Sequence, residues 1–313
     1  MKELSRIAKL KHPLQYKMRT FKVPQVTRWV VVVNSPDLID ELRKAPVDKL
    51  SALAAFKELY GAEYGSRLFK EIKTQGRDWK DKPDDLLSWL IDKTPEGEHR
   101  TVEALTQRIL ALNFAAVHTT SVSFTHALFH LVSRPEYIAL LREEVNSILG
   151  EGWSNNAIHK MRKMDSFLKE SQRYSGLALT AVTRKALADF TLSDGTFLPK
   201  GTHITCNAIA THRDDKNYAR ADVFDGFRFV SSSGDDFKLV STSLSYLPFG
   251  HGRFACPGRV FAATVEKTML AYLVHNYDMK LEEGVRERPK DFNFESLLTP
   301  NQKAHILFRR RQL

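Results

Sequence analysis

The chain has 313 residues, 42% hydrophobic and 27% charged, which is the composition of an ordinary globular protein. Two cysteines argue against a disulfide framework and fit a reducing compartment; no run of roughly 18 apolar residues encodes a membrane helix, and the basic start MKELSRIAKLKHP lacks the apolar centre of a signal peptide. The formal net charge of +10 is scattered and no nucleic-acid motif accompanies it, so it reads as solvated faces, the Arg309-Arg310-Arg311 tail included, that would suit docking of an acidic partner.

In chain order, WVVVV at 29–33 predicts a buried strand. Asn34 and Ser35 are placed to cap a helix with Pro36 at its first position, running over 37–44 and stopped by Pro46. Thr101 is placed to cap a long helix in which Val102, Leu105, Ile109, Leu112 and Ala116 recur at spacings of three and four. The pattern runs to about residue 132, a rod of about 45 Å. Inside it AAVHTTS, residues 115–121, combines small Ala115 and Ala116, which let something bulky approach, with the hydroxyls of Thr119 and Thr120, which bond either the carbonyl one turn back or a ligand. Taken alone, that stretch equally suits the packed face of a core helix. Residues 135–149 predict an amphipathic helix stopped by Gly150, and 164–175 another, stopped by Gly176. On the second, Glu170 and Arg173 share a face, a pair that contributes roughly a few tenths of a kcal/mol if exposed. Strands are predicted at 181–187, at 190–198 folded around Asp194-Gly195, and at 202–206, where Cys206 reads as a small core residue. Residues 211–223 read as a polar loop and 279–308 as irregular strands and turns. There are no internal repeats, and one domain over 1–313 is expected.

The other cysteine lies in FGHGRFACPGR, residues 249–259. Gly250 and Gly252 let the backbone pass close to a flat partner. Pro257 precedes an apolar run at helical spacing, 260–274, and proline is favoured at the first helical position. Cys256 is therefore expected at the mouth of a helix N-terminus, where unpaired N–H groups and the positive end of the dipole favour a thiolate. These residues describe a lone activated cysteine in a cradle; the alternative is a buried structural cysteine after a turn.

FGxGRxxCPG resembles the haem-ligand loop of the cytochrome P450 monooxygenases, in which the cysteine is the axial iron ligand. The resemblance is partial over 20–50, a β region, and covers a core from 81 to 313. It implies a mainly α fold with a small β region and a haem whose iron is held by Cys256. Phe249, Gly250, Gly252 and Arg253 would then form the cofactor loop, and Arg184 would contact a haem propionate. AAVHTTS resembles the family's oxygen-activation motif: Thr119 matches the threonine that relays protons to bound dioxygen, with Thr120 beside it. His118 stands where an acid is usual and Ala116 where glycine is usual; a histidine also shuttles protons near neutral pH. This His-Thr-Thr variant is similar to that of fungal members that oxidise terpenoids. Glu170 and Arg173 match a Glu-x-x-Arg pair which, joined by Arg228 from FDGFRF at 224–229, forms a buried structural cluster that holds the cysteine loop. The resemblance also implies electrons from NADPH through a cytochrome P450 reductase, a lipophilic small-molecule substrate such as a terpenoid of secondary metabolism, and a place on the cytosolic face of the endoplasmic reticulum, although the family's membrane anchor has no counterpart in this sequence.

Three departures from the pattern accompany the match. Between Pro46 and Thr101 there is space for roughly three short helices, fewer than the family places there, which suggests an internal deletion with its junction at 59–68. The family's Trp-x-x-x-Arg pair is unmatched, since Pro83 follows Trp79 and Lys93 follows Trp89 at that spacing. Phe254 stands two residues before the cysteine, where relatives carry Arg or His to bond a propionate. Each lost charge-assisted bond is worth roughly 1.5–3 kcal/mol, so haem affinity is expected to fall by one to several powers of ten. Two readings stand: a monooxygenase, and a haem-poor, non-catalytic remnant whose uncovered helices expose an apolar patch beyond the few hundred Å² usual on a monomer.

Overall fold

The structure, a computed structural model, describes residues 20–24, 29–33, 35–51, 86–150, 152–231 and 238–312. The segment 59–68 and the residues Trp79 and Pro83 lie outside these. The first elements are β1 Phe21–Pro24, β2 Trp29–Val33, α1 Pro36–Lys44, β3 Leu50–Ser51, α2 Leu86–Lys93 and α3 Val102–Asn113. A π-turn at Phe114–His118 leads to α4 Thr119–Val132, α5 Glu136–Leu149, α6 Asn155–Lys160 and α7 Arg162–Tyr174. Then come β4 Thr180–Ala186, β5 Phe190–Thr191, β6 Phe197–Leu198, β7 His203–Asn207, α8 Ala208–His212 and α9 Arg259–Asn276. The chain ends in β8 Tyr277–Leu281, β9 Phe292–Phe294, β10 Leu297–Thr299 and β11 Ile306–Arg310. It divides into two compact units, 1–55 with 120–313, and 56–119.

In the larger unit a five-stranded sheet runs in the order β1-β2-β7-β4-β3. WVVVV forms β2 and pairs in parallel with β7, Val30 opposite His203 and Val33 opposite Cys206. The four valines are nearly inaccessible, as a continuous apolar run with a parallel partner should be. Ser35 caps α1, its hydroxyl accepting from Leu38 N at 3.2 Å with Pro36 in the first turn, and Leu38, Ile39 and Leu42 close over the sheet. Cys206 is fully buried among them, and burial pushes its thiol up. The β4–β7 register shifts between Ala181 and Arg184, and Val182 takes a φ of +55°. A β-branched residue in that left-handed region marks a strained bulge, which re-aims the side chains that follow.

The helical part of this unit packs α4, α5, α7 and α9 around Phe129, Leu141, Phe167 and Leu270, all essentially inaccessible. Helix α7 begins at Arg162, ahead of the expected 164, and ends at Tyr174 with Ser175 rather than Gly176 as its C-cap; α5 begins one residue after Pro135. Gly150 is the C-cap of α5 but keeps a right-handed φ of −54°, and the left-handed glycine is Gly152 at +87°. The polar loop expected at 211–223 begins inside α8. Near the C-terminus, Arg288 holds Asp291 through two 2.9 Å bonds and donates to His126 Nδ1 on α4 at 2.8 Å.

In the smaller unit Thr101 caps α3, its hydroxyl accepting from Ala104 N at 3.2 Å, and Leu105 packs with Leu90, Ile91 and Ile109. The helix expected to run unbroken from Thr101 changes hydrogen-bond register at Phe114–His118, where one wide turn replaces α geometry. Phe114 and Val117 are exposed there.

Gly226 shows how tightly the larger core is filled. Its N–H donates to Tyr137 Oη at 3.0 Å, and a Cβ at this position would lie 2.8 Å from both Phe167 Cδ2 and Tyr137 Cε1. Those rings belong to an aromatic cluster with Phe224 and Phe227 and cannot yield. Gly226→Ala is therefore expected to lower unfolding stability by about 1–3 kcal/mol in chemical denaturation; an unchanged midpoint would contradict this packing.

Candidate functional site

The stretch 249–259 is a tight loop ahead of α9. Gly250 and Gly252 take left-handed φ values of +68° and +74°, which their lack of a Cβ permits. At Gly252 a Cβ would also meet the Arg43 side chain at 3.0 Å, because α1 lies against the loop there. The loop closes on itself through Cys256 N to Phe249 O at 2.8 Å and Ala255 N to Gly252 O at 3.0 Å. Phe249 packs on the helical core, and Cys256 is half-buried. Helix α9 begins at Arg259 with Gly258 as its N-cap, so Pro257 is not at the first helical position as expected but before the cap. The first helical bond runs from Ala262 N to Gly258 O, and Cys256 stands two residues ahead of that cap. Arg259 ties the cysteine's own carbonyl, its Nη1 donating to Cys256 O at 2.9 Å.

Behind the loop, Glu170, Arg173 and Arg228 meet. Arg173 donates to the Glu170 carboxylate from Nε at 2.7 Å and Nη2 at 2.8 Å, and Arg228 Nε sits 3.1 and 3.2 Å from the two carboxylate oxygens. Glu170 and Arg173 are fully buried. Arg173 Nη1 goes on to the carbonyls of His212 and Ala221. His212 then accepts Leu247 N on Nε2 at 3.0 Å, and Leu247 O accepts Gly250 N at 2.9 Å. A chain of hydrogen bonds thus runs from the carboxylate to the cysteine loop. Burial, with Arg173 and Arg213 nearby, lowers the His212 pKa to about 3, which keeps the accepting nitrogen free of a proton. Sequence reasoning missed His212; it reads as one more polar residue of a loop.

Arg184 leaves β4 directly after the bulge and is 4% exposed. Its Nη1 donates to Thr183 O at 2.9 Å, while Nη2 is buried without a partner. The guanidinium lies 5.0 Å from the ring centroid of Phe254, and that of the exposed Arg253 lies 5.6 Å from the same centroid.

Glu266 was also missed, because it sits in the apolar run of α9. It is 1% exposed, bonded by Ser123 of α4 and by Gln172 Nε2 of α7 at 3.3 Å, and Gln172 in turn accepts from Tyr246 Oη at 3.1 Å. Burial raises its pKa from 4.5 to about 7 against those two hydrogen bonds.

His118 and Thr119 belong to the smaller unit. His118 stacks on Phe114 at 5.4 Å, and the Thr119 hydroxyl donates to Ala115 O, the bond one turn back that its position allows. Thr120 is half-buried at the first residue of the larger unit's second segment.

A single protein thiol in a glycine-rich loop suits an iron that brings its remaining ligands with it; no group of three or more His, Cys, Asp or Glu residues able to hold a bare ion occurs among the described residues. The family model for cytochrome P450 matches residues 20–308, and the chain belongs to that family. It is 46% identical over 248 residues to cytochrome P450 monooxygenase 151 of Postia placenta, covering 77% of this chain and 50% of that protein. It is 39% identical over 237 residues to cytochrome P450 monooxygenase AN1598 of Emericella nidulans (74% and 44%) and 37% identical over 242 residues to ent-kaurene oxidase P450-4 of Gibberella fujikuroi (74% and 48%). The chain spans about half the length of these curated relatives. The family implies a haem-thiolate cofactor, and the mainly α fold with small sheets accords with it.

Two variants test the buried polar groups. Glu170→Ala strands Arg173 in the interior without its counter-charge and is expected to cost about 3–5 kcal/mol in denaturant titration. Glu266 binds its proton more tightly folded than unfolded, so its contribution to stability is complete below pH 4.5, declines as pH rises, and is gone above about 7. That gap is worth roughly 3 kcal/mol. Glu266→Gln should therefore gain on the wild type as pH rises from 4.5 to 8; parallel stability–pH curves would contradict the assignment.

Proposed function

We propose that this chain carries the haem-binding part of a haem-thiolate monooxygenase acting on a lipophilic small molecule. The observation that supports it best is the half-buried Cys256 in a glycine-rich loop tied, through Gly250, Leu247 and His212, to the buried Glu170 carboxylate. In this reading Cys256 would hold the haem iron through its thiolate, and Phe249, Gly250, Gly252 and Arg253 shape the loop around it. Glu170, Arg173 and Arg228 hold that loop in place and take no part in the chemistry. Arg184, whose buried Nη2 has no protein partner, fits a carboxylate of the porphyrin. Bound through that thiolate, haem would supply oxygen activation.

The proton side falls to the helix that holds AAVHTTS. Thr119 relays a proton through its hydroxyl, which must let go of Ala115 O to do so, with His118 and Thr120 adjacent in sequence. The π-turn under these residues is of the kind found at functional sites. Electrons come from NADPH through a cytochrome P450 reductase. One of the similar proteins is named an ent-kaurene oxidase, which supports a terpenoid as the substrate class. No helix among the described residues is long and apolar enough to cross a membrane; the cytosolic face of the endoplasmic reticulum is proposed from the family alone. The second reading, a haem-poor protein without turnover, draws on Phe254, which offers no charge to a propionate.

The reduced carbon-monoxide difference spectrum separates the two. A thiolate-type Soret band is expected from the wild type and its complete loss from Cys256→Ala. Wild-type protein that takes up no haem supports the second reading, and a band that survives Cys256→Ala means that another residue binds the iron.

A further inference from the structure

Resting on that haem-thiolate reading, we propose that Phe254 is a positioning residue for Arg184: the ring holds the guanidinium in place, so that Nη2 stays available to one carboxylate of the bound porphyrin.

Three observations meet at this pair. First, the strained bulge at Val182, with φ +55° and a register shift before Arg184, sends the arginine off the regular sheet direction. Strain of this kind persists where the surroundings over-determine it, and it clusters at ligand sites. Second, Arg184 is 4% exposed, yet only Nη1 finds a carbonyl, that of Thr183, and Nη2 is left buried without a partner. A buried charge left without a partner is costly, and an anion at Nη2 removes that cost. Third, the Phe254 ring stands 5.0 Å from the guanidinium carbon, within cation–π range. A ring attracts a cation without consuming an N–H. A carboxylate at position 254 would occupy Nη2 and close the site. The same ring carries Arg253 at 5.6 Å, so two cations converge on one aromatic face system beside the cysteine loop, which raises the local potential for an anion.

Arg184 thus supplies the charge and Phe254 its placement, and the pair can be tested as a unit. The variants are Phe254→Leu, Phe254→Tyr, Arg184→Met and the Phe254→Leu/Arg184→Met double. The haem-loaded protein is read by the rate of haem transfer to excess apomyoglobin, and the haem-free chain by chemical denaturation. Phe254→Leu should speed haem loss about three- to thirtyfold, Phe254→Tyr should retain haem almost as the wild type does, and the double variant should lose it no faster than Arg184→Met alone. In the haem-free chain Arg184→Met should be at least as stable as the wild type, since it removes a buried unpaired charge; an arginine with a purely structural role would give the opposite sign. Additive effects of the two substitutions on haem loss, or equal haem retention by Phe254→Leu and the wild type, would overturn the proposal. Wild-type protein that takes up no haem would refute the haem-thiolate reading instead. Then the haem-free cycle decides: coupling between positions 254 and 184 in denaturation supports the positioning contact, and zero coupling overturns it.

Discussion

One buried carboxylate holds two guanidinium groups, and a chain of hydrogen bonds runs from it to the cysteine loop. The Glu170 side chain takes Arg173 and Arg228 at 2.7–3.2 Å, and its Oε1 also accepts Asp225 N at 2.9 Å. Such a cluster tolerates no partial version: complete, it satisfies every member, and missing one it leaves a desolvated charge. That all-or-none character is what makes it useful as a fixed point. Arg173 spends its remaining donor on carbonyls of residues far along the chain, and those carbonyls start the path through His212 and Leu247 to Gly250. The position of Cys256 is therefore set by hydrogen bonds with defined directions as well as by apolar packing, which alone would let the loop slide.

The polar groups of this interior pull stability in opposite directions with pH. His212 must stay unprotonated to accept Leu247 N, and its lowered pKa means that its contribution is whole above 6.5 and drains away as pH falls toward 3. His126 and His130, buried one turn apart on α4, are shifted in the same direction by burial. Glu266 acts against them, favouring the folded state on the acid side. The interior therefore has a stability optimum bounded on both sides by identifiable side chains.

Much of this was legible in the sequence where residues act as neighbours along the chain. WVVVV, the Ser35–Pro36 cap, the Thr101 cap and the glycine loop are local patterns, and each forms as its residues dictate. The Glu170–Arg173 pair was legible by spacing, but its third member, Arg228, came from the family resemblance, because nothing local links position 170 to 228. His212 and the Gln172–Glu266–Ser123 contacts were not legible at all: they join segments 35 to 143 residues apart in chambers that only the tertiary fold closes. Two local features also escaped. The π-turn at Phe114–His118 is a change of hydrogen-bond register that leaves the apolar periodicity intact. Pro257 precedes the helix cap rather than following it, because Gly258 takes the cap itself.

The loop has two supports of different kinds. On one side the Glu170 chain of bonds reaches Gly250. On the other, the stem of Arg43, pinned to Asp40 at 2.7 Å, fills the space against Gly252, and Arg184 stands by Phe254. The first support fixes backbone; the second bears on side chains. Phe254 takes no part in the bonds that hold Gly250 and Cys256, so its side chain can differ without breaking them.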